Sequence, residues 1–158
     1  LREGVKFLSG RHEQFAMWVD GTDSLLLKPA DEILARLMVF GFPVVLAAER
    51  NCFPDPERAG CFPIVPGPRF PNAGGFIGLR NEVVTVMHQL IQHADGTEDD
   101  QRVWTSALID KLVPVQLDHA RRIFCSEGDG DTQNADPCVR HWNGKIQGRR
   151  EWWEAHCK

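Results

Sequence analysis

The sequence predicts an α/β fold from three features of its first third. Phe15–Val19 is a short apolar run between polar residues, which is typical of a buried strand. A helix is predicted from Pro29 to Gly41, because proline suits the first helical position and glycine a stop. Residues 43–48 form a second apolar run. A strand, a helix and a strand in this order form a βαβ unit, so we expect the two runs to be adjacent central strands of a mixed or mainly parallel sheet.

The rest of the chain divides into short elements and one long loop. Residues 50–75 are dense in Pro, Gly and Asn and are too long for a plain connector, which indicates a functional or ligand-covering loop. The further predicted elements are an opening helix with Leu1, Val5 and Leu8 on one face, an apolar stretch at 24–27, a helix capped by Asn81, a helix after Glu98-Asp99-Asp100, strands at 114–117 and 122–124, a polar loop at 126–137 and a final helix at 151–156. No repeat or interdomain linker is visible, so we expect a single domain over residues 1–158.

Composition places the chain among ordinary globular domains. Its 158 residues are 42% hydrophobic and 25% charged, which suffices for one continuous core. The formal net charge of −4 argues against a nucleic-acid partner, which needs a basic surface. The longest apolar runs are too short to cross a bilayer, so no transmembrane segment is expected.

The five cysteines leave two interpretations open. None forms a C-x-x-C pair, so a structural zinc site is not indicated. Cys52 with Cys61, and Cys125 with Cys138, each bracket a loop that a disulfide could close in an oxidising compartment. Four buried thiols would give the same pattern, and Cys157 would remain free in either case.

Asp20 and Asp23 directly follow the first predicted strand, where α/β proteins bind ligands. Two carboxylates at this spacing, with Gly21 permitting a tight bend, can converge on Mg²⁺ or Mn²⁺, which keeps positions open for substrate phosphates. The alternative is an Asx turn without function, since Asp and Gly are favoured turn residues.

His141 is the candidate for a third metal ligand. It precedes an Asn143-Gly144 turn and Lys145, whose ammonium suits a phosphate. A lone histidine is more often a surface residue, so this assignment depends on its lying beside the two aspartates.

Two further segments carry candidate ligand contacts. Residues 72–78 contain Gly74 and Gly75, which let the backbone approach a ligand, although a glycine-rich turn entering a strand is the alternative. The segment matches neither the ATP nor the dinucleotide glycine motif. Asp99 and Asp100 can stabilise a helix N-terminus, or can act on a sugar as base, hydroxyl acceptor or stabiliser of an oxocarbenium-like state.

Six segments in this order resemble the glycosyltransferase domain of the procollagen lysyl hydroxylase family. They are residues 18–23, 45–49 with Cys52 and 54–55, 69–78, 99–101, 117–119 with 122–124, and 141–145. The resemblance covers residues 18–145 and depends on the order and similar spacing of motifs that are individually weak.

The resemblance implies a GT-A fold and retaining transfer of galactose or glucose from a UDP-sugar to a hydroxylysine-type protein or glycan acceptor. It also implies Mn²⁺, with Mg²⁺ as the substitute, and the endoplasmic reticulum lumen or secretory pathway, or the cytoplasm for a microbial protein. The implied roles are metal ligation for Asp20, Asp23 and His141, diphosphate binding for Asn143, Gly144 and Lys145, donor or substrate binding for Asn72, Gly74, Gly75 and Gln101, and catalysis for Asp99 and Asp100.

The chain departs from the family pattern at three places. Thr22 stands where the family has an aromatic residue near the nucleoside, and Trp142 replaces a small residue. The family's first βαβ segment has no counterpart before Leu1, so we expect an N-terminally truncated domain or a companion chain.

Two other functions remain open at this point. The chain can be a non-catalytic nucleotide-sugar-binding remnant, which the Thr22 departure favours. It can also be a metal-assisted phosphodiester or pyrophosphate hydrolase in which Asp99 or Asp100 acts as the base.

Overall fold

The computed structural model describes residues 1–96, 99–127 and 135–156 and has a mixed α/β fold with two sheets. Glu98, Cys157 and most of the predicted loop at 126–137 lie outside these ranges. The elements in chain order are α1 (Arg2–Ser9), β1 (Phe15–Val19), β2 (Ser24–Leu26), α2 (Ala30–Phe40), β3 (Val44–Glu49), a 3₁₀ helix (Pro56–Cys61), β4 (Phe70–Leu79), α3 (Arg80–His93), α4 (Asp100–Ile109), β5 (Val115–Leu117), β6 (Phe124–Ser126), β7 (Val139–His141) and α5 (Ile146–His156). The predicted α/β class is therefore confirmed.

The larger sheet has the strand order β1-β4-β3-β5. The prediction that β1 and β3 are neighbours is wrong, because β4 lies between them and is antiparallel to both. Of the two interpretations of residues 72–78, the alternative of a glycine-rich turn is wrong, because these residues lie inside β4. Glycine is needed there for close packing: a Cβ on Gly78 would lie 2.3 Å from the carbonyl oxygen of Pro43.

The apolar core occupies both faces of this sheet. Val44 and Leu46 of β3 pack into a cluster with Phe76 and Trp104, on the side of α1, α3 and α4. Val45 and Ala47 alternate with them and join the cluster on the side of α2 and the smaller sheet. Every residue of β3 is buried, which explains the uninterrupted apolar run from Val44 to Ala48.

Several predicted boundaries shift for local reasons. Gly41 ends α2 in the left-handed conformation at φ 65°, as predicted. The predicted strand at 122–124 begins only at Phe124, because the Asp118 carboxylate accepts the N–H groups of Arg122, Ile123 and Phe124 and holds a turn. Helix α3 begins at Arg80 rather than after an Asn81 cap, the final helix begins at Ile146 rather than Glu151, and β7 lies where no strand was predicted.

The smaller sheet has the order β2-β7-β6, with β2 antiparallel and β6 parallel to β7. It packs against the end of the larger sheet, where the Ser126 hydroxyl contacts the Ala48 carbonyl at 3.4 Å.

Cys52, Cys61, Cys125 and Cys138 form no disulfide within the described residues. Cys125 and Cys138 are buried, whereas Cys61 is exposed and Cys52 half-buried, so the interpretation as four buried thiols is wrong for two of the four. Within the described ranges, no helix has the length and apolarity needed to cross a membrane.

Candidate metal and ligand site

The smaller sheet brings Asp20, Asp23 and His141 together. Asp20 directly follows β1, Asp23 directly precedes β2, and His141 ends β7. The pairing of β2 with β7 sets Ser24 opposite His141, so the aspartates meet a histidine that is distant in sequence. The His141 Nε2 atom lies 3.3 Å from Oδ2 of Asp20 and 3.3 Å from Oδ2 of Asp23. One donor atom from each residue lies within 4.8 Å of the other two.

The chemistry of these three residues fits a divalent cation. Asp23 and His141 are only 3% and 7% exposed. Within the described chain, Oδ1 of Asp23 and Nε2 of His141 are buried and lack a hydrogen-bond partner. Leaving such groups unpaired costs about 1–3 kcal/mol each, a cost that a bound cation removes. Carboxylate oxygens with an imidazole nitrogen form a donor set that hard and borderline divalent metals accept.

The turn after His141 holds Asp23 in place. The N–H of Trp142 donates to the Asp23 carbonyl at 2.9 Å, and the N–H of Gly144 donates to Asp23 Oδ2. Asn143 and Gly144 have φ values of 50° and 82°, and Lys145 N–H donates to the Trp142 carbonyl at 3.0 Å. This is the pattern of a type I′ turn, for which Asn-Gly is the favoured pair.

Gly74 makes room for the imidazole of His141. A Cβ on Gly74 would lie 2.1 Å from Cε1 of His141, far inside van der Waals contact. The β3–β4 register shifts between Leu46, which faces Phe76, and Ala47, which faces Asn72. Residues 73–75 therefore lack partners on β3 and form the strand segment that borders the site.

A cavity of about 540 Å³ opens beside these three residues. Its lining includes most of the predicted site residues, namely Asp20, Asn72, Gly74, Asp99, Asp100, Gln101, His141, Asn143, Gly144 and Lys145. Asp23 and Gly75 do not line it: Asp23 is buried beside its wall, and a Cβ on Gly75 would lie 2.8 Å from the Phe124 ring.

Glu49 is the main site residue for which the sequence predicted no role. It ends β3, is 6% exposed and lines the same cavity. Its Oε1 accepts from the amides of Asn72 at 3.1 Å and Gln101 at 3.0 Å, and its Oε2 accepts from Asn143 at 3.3 Å. The sequence pattern that could have identified Glu49 is an acidic residue that ends an apolar strand without an intervening turn residue.

The amides around Glu49 are thus engaged with the protein itself. The Gln101 Oε1 atom accepts from Ala73 N–H at 2.6 Å, while its Nε2 also donates to the Pro71 carbonyl. Asn72 Oδ1 accepts from Gly74 N–H at 3.0 Å. These side chains shape the cavity wall as a connected network. We call Glu49, Asn72, Gln101 and Asn143 the Glu49 cluster.

Asp99 and Asp100 begin α4 at the edge of the cavity. The Asp99 carboxylate accepts from Gln101 N–H at 3.0 Å and caps the helix, so one of the two predicted roles is present in the structure. Desolvation, followed by the neighbouring charge of Asp99, raises the pKa of the Asp100 carboxyl above its usual value. Both side chains remain exposed toward the cavity.

Sequence comparison places the chain among known glycosyltransferase domains. A family model described as the PLOD GT domain matches residues 1–135. The chain is 27% identical over 91% of its length to a procollagen-lysine,2-oxoglutarate 5-dioxygenase of Drosophila melanogaster. It is 30% identical over 78% of its length to the human multifunctional procollagen lysine hydroxylase and glycosyltransferase LH3. The alignments span 23% and 17% of these two proteins, so the chain corresponds to less than a quarter of either.

The fold has a solved counterpart. A glycosyltransferase involved in glycosylation of the major capsid of PBCV-1 superposes with a TM-score of 0.51 at 14% identity, covering 98% of this chain and 71% of its own. This similarity concerns the fold and agrees with the expected GT-A-like architecture. The matched residues 1–135 include Asp20 and Asp23 but end before His141, whose place beside them is given by the structure. With most of its length matched by the family model, the chain belongs to the PLOD GT domain family of glycosyltransferases.

Proposed function

We propose that the chain is a metal-dependent retaining glycosyltransferase that moves galactose or glucose from a UDP-sugar to a hydroxylysine-type or related acceptor on a protein or glycan. The observation that supports this most directly is the pair of buried, unpartnered atoms on Asp23 and His141 beside a cavity of about 540 Å³. The proposed acceptor follows from the names of the relatives, which concern procollagen lysine. In this proposal, the protein acts in the endoplasmic reticulum lumen or secretory pathway.

Asp20, Asp23 and His141 would hold Mn²⁺, for which Mg²⁺ can substitute. When bound, the cation would offset negative charge on the departing diphosphate. Lys145 lines the cavity one residue before α5, so its ammonium and the positive end of that helix would both favour the diphosphate. The N–H of Gly144 already donates to Asp23 Oδ2. Gly144 would therefore assist diphosphate binding only indirectly, by holding Asp23 in place.

Asp100 would act on the transferred sugar. Its carboxylate borders the cavity, and Asp99 beside it is already committed to capping α4. An ionised Asp100 can accept a sugar hydroxyl or stabilise positive charge that develops on the ring. The Glu49 cluster would keep α4 in place, because Gln101 next to Asp100 binds Glu49.

Titration of UDP into the protein by calorimetry, with and without Mn²⁺, tests the donor site. We expect UDP binding that requires Mn²⁺, and binding that ignores the metal would contradict the proposal. A second assay supplies UDP-galactose or UDP-glucose with a hydroxylysine peptide and follows UDP release and labelling of the peptide.

The products separate this function from the two alternatives. Transfer yields UDP and a glycosylated peptide. A pyrophosphate hydrolase would instead yield UMP and a hexose phosphate without any acceptor. Metal-dependent UDP binding with no turnover would indicate a non-catalytic remnant.

A further inference from the structure

Two buried serines flank His141 on the smaller sheet. Strand pairing sets Ser24 of β2 opposite His141 on one side and Ser126 of β6 opposite it on the other. Side chains in register on neighbouring strands point to the same face of a sheet. Ser24 and Ser126 are only 9% and 1% exposed, so the row Ser24-His141-Ser126 faces the protein interior.

Two members of this row contact the larger sheet. Ser126 contacts the Ala48 carbonyl of β3 at 3.4 Å, and His141 lies against Gly74 of β4. Ser24 completes the row on the other side of His141 and directly follows Asp23 in the sequence.

The two hydroxyls differ in their partners. Within the described residues, Ser24 Oγ is buried without a hydrogen-bond partner, as are Oδ1 of the adjacent Asp23 and Nε2 of the paired His141. Ser126 Oγ has its carbonyl partner. Buried polar atoms are rarely left unpaired, so three from neighbouring positions indicate a ligand with several polar contacts.

We propose that Ser24 is a positioning residue of the metal site, whose hydroxyl hydrogen-bonds a water molecule bound to the cation. The inference rests on the proposed metal site. Mg²⁺ and similar cations keep bound waters, and a hydroxyl can both donate and accept. Partners of this outer kind orient the coordinated groups and strengthen metal binding.

Calorimetric titration of Mn²⁺ alone into the full chain tests the role of Ser24. Ser24→Val and Ser24→Thr have nearly the same shape and suit a strand, but only threonine keeps the hydroxyl. We expect Ser24→Val to weaken Mn²⁺ binding about 10-fold or more, the range seen for outer-shell partners, and Ser24→Thr to retain the wild-type affinity. Electron paramagnetic resonance of bound Mn²⁺ should differ between valine and wild type and agree between threonine and wild type.

Ser126→Ala is the matched control, because it removes the other hydroxyl of the row. We expect it to leave Mn²⁺ affinity unchanged. Equal weakening by Ser126→Ala would overturn the inference, because the effect would then come from a loosened sheet. Thermal melting without metal verifies that each variant folds, and Ser24→Ala replaces the valine if that variant does not.

The remaining outcomes separate this inference from the function on which it rests. Wild-type protein that binds no Mn²⁺ overturns both. Wild-type binding that Ser24→Val leaves unchanged overturns the role of Ser24 and keeps the metal site.

Discussion

Two buried polar groups border the same cavity and differ in how they are satisfied. In the Glu49 cluster, the carboxylate accepts from the amides of Asn72, Gln101 and Asn143. In the proposed metal triad of Asp20, Asp23 and His141, Oδ1 of Asp23 and Nε2 of His141 are buried and have no hydrogen-bond partner among the described residues.

This difference separates residues that shape the site from residues that we propose bind the ligand. A buried carboxylate that accepts three donors is stabilised by the protein alone. Two carboxylates beside an imidazole are stabilised by a cation that all three residues bind, because a nearby opposite charge favours the ionised form. The contrast predicts that substitutions in the Glu49 cluster lower the free energy of unfolding, whereas substitutions in the triad lower the affinity for ligands.

Replacing Asp20 should give the largest effect. Asp20→Asn removes a charged ligand whose side chain is 49% exposed, so metal-free stability should not fall. Metal-dependent UDP affinity should fall by more than about 100-fold, beyond the usual cost of losing an outer partner. Calorimetry with and without Mn²⁺ measures it, and Asp31→Asn on the exposed start of α2 is the control. Retained Mn²⁺-dependent binding would rule Asp20 out as a ligand.

Asp100 belongs to neither group and tests the chemistry itself. Asp100→Asn should keep Mn²⁺-dependent UDP affinity and lose about 100-fold in kcat, as expected for a group that acts in the transition state. Because the pKa of Asp100 is raised, this carboxylate takes up a proton at a higher pH than an ordinary aspartate does. On acidification, wild-type kcat should therefore begin to fall at that higher pH. Transfer at the wild-type rate would leave Asp100 as a helix-start residue only.

Gly74 sharpens the contrast through shape rather than charge. Gly74→Ala would place Cβ 2.1 Å from Cε1 of His141, so the imidazole must leave its present position beside Asp20 and Asp23. Mn²⁺ affinity should fall about 10-fold or more. Gly21→Ala is the control, because its Cβ would meet nothing within 4 Å. Equal affinities in the two variants would contradict a fixed position for His141.

Glu49 should give the smallest effect on the metal and a clear one on folding. Glu49→Gln turns one acceptor into a donor that faces other donors, so unfolding free energy should fall by about 2–3 kcal/mol without metal. Denaturant unfolding measures this loss, with the exposed Glu57→Gln as control. If the Glu49→Gln variant were as stable as wild type but had lost Mn²⁺ binding, Glu49 would belong to the metal-binding group rather than to the group that stabilises the fold.

The sequence predicts best what depends on neighbouring residues. Helix α2 ends at Gly41 as expected, and Asp20 and Asp23 follow the strand that their flanking residues predict. The position of β4 could not be predicted, because its pairing joins segments that are far apart in sequence. The donors to Glu49 come from a strand, a helix and a turn, so no local pattern marks them as its partners.

The close approach of Gly74 to His141 links two distant positions in evolution. A glycine at position 74 is required only while an imidazole occupies the space above it. In related sequences that have lost the histidine, alanine or larger residues should be tolerated at position 74. An alignment of relatives should therefore show the histidine lost first, so that a residue larger than glycine at position 74 marks a lineage without the imidazole.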